Sequence, residues 1–219
     1  MGPQKRKAFN KEYVTFITKF YPLNPQNEVE KFIDIIHSVM ESARNNKLSI
    51  YEILEKTGRI IHRSFGFREI GIGLKSRKDG LYRYEYLFGF RPDIEKNYRN
   101  VEYTHQEMTS QEKFPYIRIG KYAELDPLEG FPEEEIALLN RPAIFNRTRE
   151  NYEDFLEGDY MNILMHGNNN ELIGWMDLSL TPDGKLPPRT TIRWIELLAN
   201  ICGLIIQKKW IEEDKYRKR

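Results

Sequence analysis

A chain of 219 residues, 40% of them hydrophobic and 13% aromatic, can bury one substantial core and suits a single domain with an extension. Its formal net charge of +1 provides no general attraction to nucleic acid or to an anionic membrane. No apolar run approaches a membrane span, no signal-peptide core is visible, and the lone Cys202 excludes an internal disulfide framework or a cysteine-based zinc site, so a cytoplasmic protein is expected.

Residues 1–28 read as an extension. Lys5-Arg-Lys7 is basic, residues 13–17 suit a short helix, and Pro22 and Pro25 end it. Val29, Phe32, Ile33, Ile36, Val39, Met40 and Ala43 then fall on one helical stripe, closed by Asn45-Asn46. Ser49 with Glu52 three residues on has the form of a capping box. The helix that it opens carries Ile50, Ile53, Leu54, Thr57, Ile60 and Ile61 on its apolar side and ends near Gly66.

Strands follow. Ile70, Ile72 and Leu74 alternate with Glu69, Gly71 and Gly73, and Asp79-Gly80 supplies the positive φ angles of a tight hairpin turn. Strict alternation places Tyr82, Tyr84, Tyr86, Phe88 and Phe90 on a single face of the returning strand. Five prolines interrupt residues 92–158, leaving a short strand at 116–120 and a helix start at Pro132 with Glu133-Glu-Glu135 behind it. Irregularity on this scale within a compact domain points to function.

The clearest stretch comes last. Residues 159–167 and 172–180 read as a hairpin around Asn168-Asn-Asn-Glu171, and a long helix runs from about Arg189 past Gln207. That helix is apolar on two sides, with Ile192, Ile195, Ala199, Cys202 and Ile206 on one and Trp194, Leu197, Leu198, Ile201, Leu204 and Ile205 on the other. Two apolar sides predict packing on the sheet and on a second partner, either the helix over residues 29–43 or another copy of the chain.

The wording of this stretch, Gly174-Trp175 in the return strand and Trp194-Ile-Glu-Leu-Leu-Ala199 opening the helix, resembles the carboxyl end of a GAF domain, the small-molecule sensor module of signalling proteins. The order helix, helix, hairpin, irregular middle, hairpin, helix extends the resemblance over residues 29–208, between the extension 1–28 and a charged tail 209–219. The resemblance implies an α+β fold: an antiparallel sheet with N- and C-terminal helices on one face and a loop-roofed pocket on the other.

On that arrangement, alternation assigns Ile70, Ile72, Leu74, Met176, Leu178 and Leu180 to the helix side and Gly71, Gly73, Trp175, Asp177 and Ser179 to the pocket side. Missing side chains at Gly71 and Gly73 would make room for a ligand. Tyr84 and Tyr86 would stack on a planar one. Tyr116 and Arg118 on the middle strand are further candidates, Arg118 as a partner for phosphate or carboxylate, and His105 in the irregular middle as a pocket residue or axial haem ligand. GAF domains of cyclic-nucleotide phosphodiesterases carry Asn-Lys and then Phe-x-x-x-Asp-Glu. Asn146-Arg147 and Phe155-Leu-Glu-Gly-Asp159-Tyr160 are similar, and an Arg147–Asp159 pair would lock the segment roofing the pocket.

Nothing in the chain matches a phosphate loop, a dinucleotide fingerprint or a nucleophile elbow, and Glu102-x-x-His105 supplies too few ligands for a metal. Cys202, within Ile201-Cys-Gly-Leu-Ile205, reads as a small core residue, and the Cys-His dipeptide of bilin-carrying GAF domains is absent. The expectation is a non-enzymatic regulatory domain that binds a small molecule, with no cofactor assigned, pairing as a homodimer through its terminal helices, with neither membrane nor nucleic acid as partner. The alternative is an interaction or dimerisation module with a vestigial pocket.

Overall fold

The computed structural model describes residues 10–21, 24–44, 47–131 and 148–217, which fall into two compact units, Met1–Ser38 and Val39–Arg219. In the first, helix α1 (Lys11–Phe20) is capped by the Asn10 side chain, which accepts from the Glu12 amide at 2.8 Å. Helix α2 (Glu28–Arg44) begins where Asn27 accepts from the Glu30 amide at 2.9 Å, and it runs on into the second unit. The expected Asn45-Asn46 helix end, the Lys5-Arg-Lys7 patch, the helix start at Pro132 and the Asn146-Arg147 pair lie outside the described residues.

The second unit is built on a seven-stranded antiparallel sheet. Its strands are β1 (Glu69–Lys75), β2 (Tyr82–Phe88), β3 (Glu102–Tyr103), β4 (Ile117–Arg118), β5 (Ala123–Asp126), β6 (Tyr160–His166) and β7 (Leu172–Ser179). They lie in the order β3-β2-β1-β7-β6-β5-β4, so the two hairpins visible in the sequence meet at β1 and β7 in the middle. Every residue of β7 is buried, as expected of a strand covered on both faces.

Helix α3 (Ile50–Phe65) packs on β1 and β2, and the closing helix packs on β6 and β7 and against α3. The capping box is present in full: the Ser49 hydroxyl accepts from the Glu52 amide at 3.2 Å, and the Glu52 carboxylate accepts from the Ser49 amide at 2.7 Å. Gly66 ends the helix in the left-handed conformation at φ 79°, which favours glycine. Where α3 meets the closing helix, the Cys202 sulfur lies 3.8 Å from the Thr57 hydroxyl, and burial pushes the thiol up to about 11. A buried thiol of that kind is a packing residue.

Short helices α4 (Pro92–Tyr98) and α5 (His105–Thr109) and a 3₁₀ turn at Leu128–Gly130 occupy the irregular middle. The closing helix, α6 (Arg189–Arg217), extends through the charged segment that the sequence sets apart from residue 209. Lys209 is buried there and donates to the Leu48 carbonyl at 2.6 Å, while Arg77 of the β1–β2 turn pairs with Glu213 and Asp214. Of its two expected apolar sides, the first is buried through Ile195, Ala199, Cys202 and Ile206. The second divides, with Leu198 and Ile205 buried but Leu197 and Leu204 about half exposed at 48% and 47%.

One expectation fails at the β1–β2 pair. Ile72 lies opposite Tyr86 and Gly73 opposite Tyr84, so Glu85 is an extra residue and the strand bulges there. Past the bulge the alternation inverts. Tyr86 turns to the helix side, filling the space above Gly58 of α3, and Phe88 follows it to meet the His62 ring at 4.8 Å. The aromatic row of β2 therefore serves both faces of the sheet, and Tyr86 is not a pocket residue.

Loss of the capping box tests the placement of α3 as a docked helix. Ser49→Ala should lower stability by about 1 kcal/mol in urea unfolding with an unchanged slope. An unaltered midpoint would mean that the start of α3 contributes nothing to the cooperative unit.

Candidate functional site

Cross-strand partners in an antiparallel sheet share a face, so the register identifies the second face without ambiguity. Ile72 lies opposite both Tyr86 and Met176, which marks the helix side. The alternate positions form a row across the other side: Arg118 opposite Glu124, Glu124 opposite Asn162, Asn162 opposite Asp177, and Asp177 opposite Gly71. Beside that row, Gly73 stands between Tyr84 and Trp175, and Trp175 is opposite Leu164.

Gly71 and Gly73 lie on this face as alternation requires, but the space above them is taken by rings. A Cβ on Gly73 would overlap the Trp175 indole, and one on Gly71 would come within 2.8 Å of the Tyr84 ring. The glycines therefore leave room for two large rings against the sheet. Their heads converge on one carboxylate oxygen: Asp177 Oδ2 accepts from Trp175 Nε1 at 2.7 Å and from the Tyr84 hydroxyl. Burial raises the Asp177 pKa to about 6, with both hydrogen bonds pulling in the opposite direction.

Above this floor is a cavity of about 70 Å³. Its wall is a closed circuit of seven aromatic residues. Trp175 meets Tyr84 edge-on at 4.9 Å, Tyr84 meets Tyr98 at 4.9 Å, and the Tyr98 hydroxyl donates to that of Tyr160 at 2.8 Å. Tyr160 continues to Phe131 at 6.1 Å, Phe131 to Phe114 at 6.2 Å, Phe114 to Tyr103 at 5.8 Å, and Tyr103 returns to Trp175 at 5.8 Å. Edge-to-face contacts in this range are favourable beyond the area they bury. Helix α4 supplies Tyr98, β3 supplies Tyr103, and the segments around α5 and the 3₁₀ turn supply Phe114 and Phe131.

The polar lining is acidic. Glu107, Glu124, Asp126 and Asp177 line the cavity, and no lysine, arginine or histidine is among its described lining residues. The two at the edge are neutralised: Lys113 pairs with Glu107 at 3.2 Å and Arg118 with Glu124 at 2.6 Å. Asp126 is different. It is only 9% exposed, and among the described residues its Oδ1 has no hydrogen-bond partner; neither has Oδ1 of Asn162, whose side chain hydrogen-bonds the Asp126 carboxyl. Burial, reinforced by the charges of Asp177 and Glu124, lifts Asp126 well above the usual carboxylate range.

Of the residues singled out in the sequence, Tyr84, Tyr116, Trp175 and Asp177 line this cavity, and Gly71 and Gly73 lie beneath its floor. Tyr86 is turned away by the bulge. Arg118 stands outside, half exposed, donating to the Lys121 carbonyl as well as to Glu124. His105 is exposed on α5, 3.2 Å from the Tyr82 hydroxyl, and does not line the cavity. Asp159 pairs with Arg149, which bridges Asp159 at 2.9 Å and Glu129 at 3.0 Å, while Arg147 of the expected pair lies outside the described residues. Asp159 also accepts from the Leu128 amide at 2.9 Å, fixing the turn that leads to Phe131.

Asp126, Asn162, Tyr98, Tyr103, Phe114 and Tyr160 were not singled out. Asn162 and Tyr160 alternate on β6 with the buried Met161 and Ile163, so their face was accessible from spacing. Thr104 with Glu107 also repeats the capping-box pattern of Ser49 and marks α5.

No family model matches the sequence, and no curated protein sequence does. The likeness lies in three dimensions. The nlh2 GAF domain of A. aeolicus in an inactive state superposes with a TM-score of 0.53 at 11% identity, covering 84% of this chain and 99% of that one. The fold is that of a GAF domain. The phycoerythrobilin-bound GAF domain of a cyanobacterial phytochrome (TM-score 0.53, 9% identity) covers 87% of this chain and 100% of its own. The GAF domain of an Acinetobacter phosphoenolpyruvate-protein phosphotransferase (0.51, 9%) covers 80% and 92%. At such identities the GAF fold is what is shared.

The buried carboxylate on the GAF floor has a definite pH signature. Its pKa in the folded chain, about 6, lies above the unfolded value near 4, so the folded state takes up this proton first. The group's contribution is least favourable above about pH 6 and is relieved as pH falls toward about 4. Asp177→Asn keeps an acceptor for both donors. It should be more stable relative to the wild type near about pH 7 than near about pH 4 in urea unfolding. A stability difference that does not change with pH would mean that Asp177 titrates as an exposed carboxyl does.

Proposed function

We propose that this GAF fold is a non-catalytic sensory domain that binds a small molecule in the aromatic cavity and reports its occupancy through α6. The observation that carries the reading is the cavity itself, walled by rings and bordered by two buried polar oxygens that have no donor among the described residues. A core selected for stability alone fills such space and satisfies such atoms.

A physical link runs from the cavity edge to the closing helix. Glu196 of α6 is buried, and its Oε1 accepts from the Tyr122 amide at 2.6 Å in the turn joining β4 to β5. That hairpin carries Arg118, Glu124 and Asp126. A ligand that moves β5 acts through this hydrogen bond on α6, and it shifts the helix equilibrium by its difference in affinity for the two arrangements. Among the described residues, no helix is long and apolar enough to cross a membrane.

A second copy of the chain is the partner that α6 suits. Leu197, Leu204 and Ile211 are exposed at 48%, 47% and 45% and recur every seven residues, the spacing of a helix-pairing seam. This stripe also supports the alternative of a dimerisation module, which differs in leaving the cavity empty.

Native mass spectrometry of freshly purified protein, set against its denatured mass, separates the two readings. The sensory reading predicts a dimer carrying an excess mass that is lost on denaturation, and Leu204→Glu should give monomers with unchanged circular dichroism. Dimers of bare mass, together with a melting temperature unmoved by small-molecule extracts, would favour the dimerisation module. A wild-type monomer would remove the seam.

A further inference from the structure

We propose that the cavity takes a small organic cation bearing N–H donors, for which a protonated primary amine is the simplest form. This deepens the small-molecule reading above and rests on it. The inference starts from the atoms that the protein leaves unsatisfied. Asp126 Oδ1 and Asn162 Oδ1 are buried on two residues that line the cavity, and neither atom has a hydrogen-bond partner among the described residues. The Asn162 side chain hydrogen-bonds the Asp126 carboxyl; with its amide nitrogen facing that carboxyl, its Oδ1 is an acceptor, and an ionised Asp126 offers its own Oδ1 as a second. Two buried acceptors without donors specify a ligand that donates.

Charge makes the same selection. Lys113 and Arg118 offset the acids at the cavity edge, but among the described residues no cation pairs with Asp126 or with Asp177. An incoming phosphate or carboxylate would find no cation on the floor among the described residues, whereas a bound cation would take the place of the proton that burial holds on Asp126. An ammonium group would supply the missing counter-ion in a low-dielectric setting, where its attraction to both carboxylates is far stronger than in water. The wall fits the same guest, since the faces of tyrosine, phenylalanine and tryptophan rings attract cations.

Size and donor count narrow the class. A space of about 70 Å³ has room for about five groups of water size. A bare divalent ion is a poor occupant: among the described residues, no three acidic, histidine or cysteine side chains are placed to hold a metal. A quaternary ammonium would satisfy the rings but offers no N–H to Asp126 or Asn162.

The test uses four probes of similar size on the full chain: propylammonium, propanol, propionate and tetramethylammonium. Binding is read by calorimetry and by the change in Trp175 emission relative to a Trp175→Phe control. Propylammonium should bind, propanol and propionate should not, and tetramethylammonium should bind more weakly. Asp126→Asn, which preserves shape, should weaken propylammonium about tenfold or more, as expected for loss of a charge-assisted hydrogen bond. Arg118→Ala, at the cavity edge, should not weaken it.

Tighter binding of propanol or propionate would overturn the cationic assignment and leave the small-molecule pocket standing. Tetramethylammonium equal to propylammonium would overturn the N–H requirement. No heat and no emission change with any probe at about 10 mM would overturn the cationic assignment and count against the pocket as well.

Discussion

The site depends on one buried oxygen. Asp177 Oδ2 receives the Trp175 indole and the Tyr84 hydroxyl at once, and those two rings form the floor over which the cavity opens. Burying a carboxylate without a cation is costly, and two neutral donors recover only part of that cost, as its pKa of about 6 records. The sequence accommodates the arrangement at Gly71 and Gly73, where a side chain would collide with these rings. Strand pairing, glycine placement and hydrogen bonding thus converge on one constraint: two aromatic rings packed edge to face over the glycines with their polar atoms turned to the same acid.

The remaining chemistry of the pocket follows from having that acid at its centre. Asp126 and Glu124 stand on the next strand but one, and the charges of Asp177 and Glu124 each raise the electrostatic cost of ionising Asp126. A cation bound in the cavity would offset this repulsion. The basic residues nearby are spent on the edge, where Lys113 and Arg118 hold Glu107 and Glu124. Among the described residues, no cation stands beside the floor carboxyls, whereas a site built for an anion would be expected to carry arginine or a helix start at its base.

The sequence was most legible where a single period governed a long run. The α3 stripe, its capping box, both hairpins and the closing helix were all set by spacing and turn chemistry, and the sheet face of Trp175 and Asp177 followed from alternation. Tyr86 was misplaced because a bulge at Glu85 leaves no mark in hydrophobic alternation: tyrosines at 82, 84 and 86 read as one row whether or not a residue is extra. Gly71 and Gly73 were assigned to the right face but to the wrong occupant, since spacing cannot tell space for a ligand from space for a neighbouring ring. Asp126 escaped notice because β5 has only four residues, too few for a period to be distinguished from chance. His105 and Arg118 attracted attention as chemically versatile residues, yet both are exposed, and the pocket is made by what its neighbours bury.

The most direct measurement of the central claim is hydrogen exchange of the Trp175 indole N–H, followed by NMR in the wild type and in Asp177→Ala. If Asp177 holds Tyr84 and Trp175 as the floor of the cavity, this proton exchanges far more slowly than an exposed indole, and the substitution releases it while the backbone amides of β1 and β7 stay protected. A Trp175 indole that exchanges as fast as a solvent-exposed one in the wild type would contradict the account, because the floor would then not be closed and the cavity above it would have no fixed shape.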